Sequence, residues 1–271
     1  MDVRLVDTVA TSGSSPLHRA SPRTKAAAAA LVIASAAVTT NLFVCTGVAL
    51  AVVAAAVLSR IPLRPYLSLA GYPAVFAALF AWASAPDALS GALIVSKAVT
   101  AALAVVLLLF TTPYPQVFAS LQRTLPGLVG DALFMTYRAI FVLGEKLDDL
   151  IVAARLRSGA GRHPIRSARA TVRALGNLVL YAFDLAQREY DILALRGYSG
   201  RLAVPVRRSA APAVDALALA AGTAALAAAL AWRVAWRDLL PYSWMPLAAA
   251  AALLVAALVV RFARSGGTRH A

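Results

Sequence analysis

YRAIFVLGEKLDDLIVAARLRSGAGRHPIRSARATVRALGNLVLYAFDLAQREYDILALRGYSGR, residues Tyr137 to Arg201, is rich in arginine and carries its apolar residues at helical spacing. A signal repeats in it: Leu156-Arg157-Ser158-Gly159, then Leu195-Arg196-Gly197-Tyr198, with the arginines 39 residues apart. Each arginine ends a long amphipathic helix just ahead of a glycine stop. A helix C-terminus holds unpaired carbonyls and partial negative charge, so a cation is favoured there. Gly197 is expected to take the left-handed conformation that closes such an end, with Tyr198 packing back on the last turn. Arg196 keeps a five-donor fork for a carboxylate on another molecule. One Arg-Gly is an ordinary helix end. Two, closing consecutive long helices between membrane-type blocks, point to a paired use at tips expected to face the cytoplasm.

Working outward, the composition is that of a membrane protein. Of 271 residues, 61% are hydrophobic and only 14% charged, which no ordinary soluble domain matches. The net charge of +14 could signal a nucleic-acid partner. Its distribution argues against that, because more than half of the 26 basic residues lie between 113 and 210 and most others flank apolar blocks. That is the positive-inside pattern. The single cysteine, Cys45, excludes an internal disulfide.

Residues 1–25 read as a cytoplasmic N-terminal segment, with Arg19, Arg23 and Lys25 as its basic flank. Ala26 to Leu58 then carries no charge over 33 residues and is basic on both sides, at Arg23 and Lys25 and at Arg60 and Arg64. Equal flanks require an even number of crossings. The expectation is a tight hairpin of two short spans turning near Thr39-Thr40-Asn41. Leu67 to Ala85 is a third span, with Gly71 and Pro73 marking a kink. Ala88 to Phe110 is a fourth, and it holds Lys97, a cation at membrane depth. Lys97 either serves function there or snorkels to the outer interface or lines the bundle, and the second reading is preferred. Residues 26–112 thus form transmembrane helices one to four. Residues 113–210 are the region between spans four and five: a short proline-bounded surface helix (Pro113 to Pro126), a helix from Gly127 to Arg157, a break at Gly159 to Pro164, and a helix from Ile165 to Leu195. The last is expected to present one apolar face through Leu175, Leu178, Val179, Ala182, Leu185, Ala186 and Ile192. Residues 211–262 hold spans five and six, joined by an external belt of Trp232, Trp236, Tyr242 and Trp244. Residues 263–271 are a C-terminal tail. The fold expected is an all-α membrane protein of about six transmembrane helices, with long cytoplasmic amphipathic helices between spans four and five and both termini in the cytoplasm.

Several stretches resemble one family, the transmembrane T component of energy-coupling factor (ECF) transporters, the EcfT/CbiQ family. Its two Ala-Arg-Gly-like motifs end two cytoplasmic coupling helices. Ala194-Leu195-Arg196-Gly197-Tyr198-Ser199-Gly200-Arg201 matches the second, while the first is degenerate, with Ser158 where glycine is usual. Leu17 to Lys25 (LHRASPRTK), Thr111-Thr112-Pro113 and Tyr137 to Leu143 also fit, so the likeness extends over about residues 15 to 262. The resemblance implies a multi-pass protein of the bacterial plasma membrane, a permease subunit of an ABC-type importer for cobalt or nickel ions or a vitamin. It implies two ATPase subunits and a small substrate-binding membrane subunit, the S component, as partners. It also implies ATPase coupling through Leu156, Arg157, Ser158, Gly159, Leu195, Arg196 and Gly197.

The rest of the sequence offers no catalytic alternative. There is no phosphate loop, so ATP hydrolysis falls to partners. His18, His163 and His270 are widely spaced and form no metal-ligand pattern. Asp148 and Asp149 are adjacent on a helix and point apart. No cofactor, metal or catalytic residue is expected, and a membrane-embedded enzyme is disfavoured. The alternative function is a membrane scaffold whose basic helices bind anionic lipid headgroups.

Overall fold

The computed structural model describes residues 10–11, 13, 15–121, 127–157, 164–198, 211–235 and 239–266. Among these there is no strand. The helices are α1 (Pro16–Arg19), α2 (Pro22–Val38), α3 (Leu42–Leu58), α4 (Leu63–Ser84), α5 (Ala88–Thr111), α6 (Tyr114–Leu121), α7 (Gly127–Arg157), α8 (Pro164–Leu195), α9 (Pro212–Val234) and α10 (Trp244–Gly266). The chain divides into two compact units: one of residues 1–120 and 206–271, the other of residues 121–205.

In the first unit, α4, α5, α9 and the Trp244–Arg261 part of α10 are long and apolar enough to cross a membrane. Helices α2 and α3 have 17 residues each, about 26 Å of helix, near the lower limit for a span. Thr39 to Asn41 separate these two, the place where the sequence puts the turn. They do not form the expected tight hairpin, however. Helix α2 packs mainly along α9 and α5, and α3 along α10 and α5, so the two pack against other helices more than against each other. Glycines explain this choice. A Cβ on Gly222 would lie 3.2 Å from the Ala28 carbonyl oxygen and from the Leu31 Cβ. A Cβ on Gly47 would lie 3.0 Å from the Pro246 carbonyl oxygen. In an apolar medium, close backbone approach replaces the hydrophobic effect as the force between helices. Gly222 therefore draws α9 onto α2, and Gly47 draws α10 onto α3.

Helix α4 starts at Leu63, four residues before its expected start, and runs on past Gly71 and Pro73. Pro65 falls in its first turn, where a missing N–H leaves no bond unmade. The buried centre of this unit is Val52, Ala56, Ile61, Tyr66, Leu103, Val106 and Phe110. The Tyr66 hydroxyl donates to the Leu103 carbonyl at 3.0 Å, and its ring meets Phe110 edge-on at 6.3 Å.

Cations find the free carbonyls at helix ends. Lys97 of α5 donates to the Ala37 carbonyl at 3.1 Å, and Arg233 of α9 to the Val38 carbonyl at 3.1 Å. Both acceptors lie in the last turn of α2. Lys97 thus lines the bundle and caps a neighbour. Helix α3 ends differently. Arg60 has φ 57°, the Arg60 N–H donates to the Val57 carbonyl and the Ile61 N–H to that of Ala56. That is a Schellman closure with arginine where glycine is favoured, at a cost of about 1 kcal/mol.

Two substitutions separate these effects. Gly222→Leu is expected to lower stability by about 1–3 kcal/mol through overpacking against Ala28 and Leu31. Arg60→Gly is expected to raise it by about 0.5–1 kcal/mol by relieving the left-handed backbone. Thermal unfolding of the detergent-solubilised protein checks both, and equal effects would contradict the packing account.

Candidate functional site: the two tips of the α7–α8 pair

The second unit is built on α7 and α8, with 31 and 32 residues. Three lateral ties set their alignment. The Tyr198 hydroxyl donates to Asp131 Oδ2 at 2.5 Å. Arg138 pairs with Glu189 at 3.4 Å, and the Lys146 ammonium sits 5.4 Å from the centre of the Tyr181 ring. Moving forward along α7 from one tie to the next moves backward along α8 by nearly the same number of residues. The helices are therefore antiparallel. The consequence for the paired arginines is direct: Arg157 ends α7 at one end of the pair, and Arg196 follows α8 at the other. At 1.5 Å per residue the tips are about 40 Å apart, so they are two sites and not one.

The Arg196 tip is closed as its glycine requires. Gly197 has φ 74°. Its N–H donates to the Ala194 carbonyl at 3.1 Å, and the Tyr198 N–H donates to that of Leu193 at 3.0 Å. This is the Schellman pattern, and it satisfies two carbonyls that the helix leaves open. Arg196 itself is exposed, and its guanidinium has no ion pair among the described residues. Leu195 beside it is 88% exposed, and Leu156 at the other tip is 78% exposed. Each tip thus offers a bare leucine next to an arginine position. The Arg157 side chain, Ser158 and Gly159 lie outside the described residues.

The Tyr198 hydroxyl reaches across to α7. The reason is Asp131, a carboxyl only 2% exposed that needs a donor. Sequence reasoning missed Asp131, although an acid inside the apolar run Gly127 to Phe134 was the available signal. The bond to Asp131, then burial, then the charge of that carboxylate push the Tyr198 hydroxyl above its ordinary pKa of 10.0. The one apolar face expected on α8 is also divided. Leu178, Ala182 and Leu185 are half-buried, while Leu175, Val179, Ala186 and Ile192 stay exposed. The apolar arc is wider than one neighbouring helix covers.

No group of three or more His, Cys, Asp or Glu that could hold a metal occurs among the described residues. The arrangement is a long antiparallel pair with an exposed leucine beside an arginine position at each end, in a chain with membrane-crossing helices. The class defined is a polytopic helical membrane protein. Residues 83–206 match the family described as CbiQ, cobalt transport protein. The chain is also 32% identical over 119 residues to the cobalt transport protein CbiQ of Rhodobacter capsulatus, a match covering 43% of this chain and 48% of that protein. The chain thus matches about half the length of that relative. Residues 83–206 are thus similar to the CbiQ cobalt transport protein family, in a chain whose apolar helices make it a membrane protein.

Tyr198→Phe tests the tip anchor. A raised pKa means that the folded state favours the protonated hydroxyl. The stabilisation is then fully present below pH 10 and is lost as pH climbs through the higher folded-state value. The variant is expected to exchange its Leu193 to Tyr198 amides severalfold faster at neutral pH, with the difference from wild type fading in strong alkali. Equal exchange at neutral pH would remove Asp131 from the tip's support.

Proposed function

We propose that this chain is the transmembrane coupling component of an ECF-type importer, a non-catalytic subunit that transmits ATP-driven motion. Residues 113–210 form the coupling region, between four membrane helices in 26–112 and two in 211–262, with 1–25 and 263–271 as flanking segments. One ATPase docks at Leu156, Arg157, Ser158 and Gly159, the other at Leu195, Arg196 and Gly197. The leucine enters an apolar groove, and the arginine pairs with acidic side chains there. Each charge-assisted bond contributes about 1.5–3 kcal/mol when shielded from water. Closure of the ATPase pair displaces both tips, and α7 and α8 carry the motion to a small substrate-binding membrane subunit. Cobalt is the substrate that the names of the matched family and relative favour, with nickel and vitamins as the other candidates. The complex sits in the bacterial plasma membrane with both termini of this chain in the cytoplasm.

The observation that carries this reading is the separation of the two tips. Two arginine positions at opposite ends of one antiparallel pair can engage two partners at once, whereas a single patch engages one. Arg196, with no ion pair among the described residues, and the bare Leu195 beside it support the same use.

Co-purification from membranes with candidate ATPase subunits tests it. Arg196→Glu and Arg157→Glu are each expected to weaken ATPase retention, and together to abolish it. Arg169→Glu with Arg173→Glu, on the exposed face of α8, is expected to retain the ATPases. If both double variants lose them equally, total charge matters and not the tips, and the lipid-headgroup scaffold takes the place of this reading.

A further inference from the structure

The N-terminal segment is expected as a cytoplasmic basic flank, and the structure buries two of its polar side chains. His18 is 8% exposed and Lys25 6%. The Lys25 ammonium donates to the Thr111 carbonyl at 2.9 Å, and His18 Nε2 lies 3.1 Å from the Phe110 carbonyl. A carbonyl only accepts, so that ring nitrogen carries the proton. The Ser15 hydroxyl holds the other ring nitrogen, at 2.6 Å. Thr111 turns its own hydroxyl back towards the carbonyls of Leu107 and Leu108. The final carbonyls of α5 are thereby met from two directions, where a helix otherwise leaves them open.

The same segment grips a second helix. Asp215, in the first turn of α9, is 9% exposed. Its Oδ1 accepts from the Ser21 N–H at 2.7 Å and from the Thr24 hydroxyl at 2.7 Å. Ser21 precedes α2, so the carboxylate sits at that helix's positive end. Eleven residues, Ser15 to Lys25, thus tie the end of α5 to the start of α9. The chain departs for the second unit after the first of these and comes back just before the second.

We propose that Ser15–Lys25 is a clasp that holds together the two joints carrying the α7–α8 unit, and that Lys25, His18 and Asp215 are positioning residues for energy coupling. The coupling role rests on the proposed function; the clasp itself does not. Motion of α7 and α8 can do work on the membrane helices only if the chain segments joining the units do not yield. Two independently capped helix ends would each yield alone. A shared clasp makes them one body.

Hydrogen exchange on the whole chain in lipid nanodiscs, with no partner present, tests the clasp. Lys25→Met is expected to speed exchange about tenfold at the Phe110 and Thr111 amides and also at Val214 and Asp215. Asp215→Asn is expected to do the same in reverse, loosening Phe110 and Thr111 as well as its own turn. Lys25→Arg, which keeps a cationic donor, is expected to restore slow exchange at both. Effects confined to the mutated joint overturn the clasp. Thr24→Val removes only the hydroxyl's bonds to Asp215 and to the Ser21 carbonyl, and decides the same question if Lys25→Met does not fold.

A second arm reads coupling in proteoliposomes holding the complete complex, as cobalt ion taken up per ATP hydrolysed. Lys25→Met is expected to lower that ratio severalfold with ATP hydrolysis retained, and Lys25→Arg to restore it. An unchanged ratio beside loosened joints overturns the positioning role. A wild-type chain that retains no ATPase overturns the proposed function instead, and the exchange result still decides the clasp.

Discussion

A helix leaves its last carbonyls without partners in its own ladder, and in this chain several such ends are met by side chains from neighbouring segments. Lys97 and Arg233 reach the last turn of α2. Lys25 and His18 reach that of α5. Arg261 of α10 approaches the Ile61 carbonyl just past α3 at 3.4 Å. A charge-assisted bond of this kind contributes about 1.5–3 kcal/mol, and an unmet carbonyl costs a similar amount. The contact also names a specific partner helix, which dispersion between alanine-rich surfaces does not. Arg233, in the last turn of α9, and Lys97, alone in an apolar span, both have their explanation here.

The bundle adds close approach to this. Alanine, valine and leucine offer no reason for one membrane helix to prefer another, because lipid tails are equally apolar. Gly47 and Gly222 supply one by letting backbones meet where a Cβ would intrude. The α7–α8 pair is held by other means: a tyrosine on a buried carboxyl, an arginine on a glutamate, and a lysine over a ring. Those ties suit a pair whose outer surfaces stay bare, since much of α8 remains uncovered by its own chain. The Arg138–Glu189 pair, exposed on its arginine side, fixes alignment.

Much of the architecture was legible beforehand. Charge-free runs, basic flanks and proline or glycine breaks place nearly every helix, and the described part of α7 runs to Arg157. Gly197 announces the left-handed closure by its lack of a side chain. What stayed hidden depends on residues far apart in the chain. The partners of α2 and α3 follow from glycines on α9 and α3, not from the turn that joins them. The position of Tyr198 follows from Asp131, 67 residues away. The burial of His18 and Lys25 follows from carbonyls about 90 residues downstream, which no local pattern reveals.

By itself the sequence determined that this is a helical membrane protein with two arginine-tipped helices, because hydrophobic length, charge placement and helix stops are local properties. Only the tertiary structure decided that the tips lie at opposite ends, and that the basic N-terminal segment joins α5 to α9. Both turn on which buried polar group finds which donor. That pairing is fixed by the cost of leaving either one unmet, and it is settled in three dimensions.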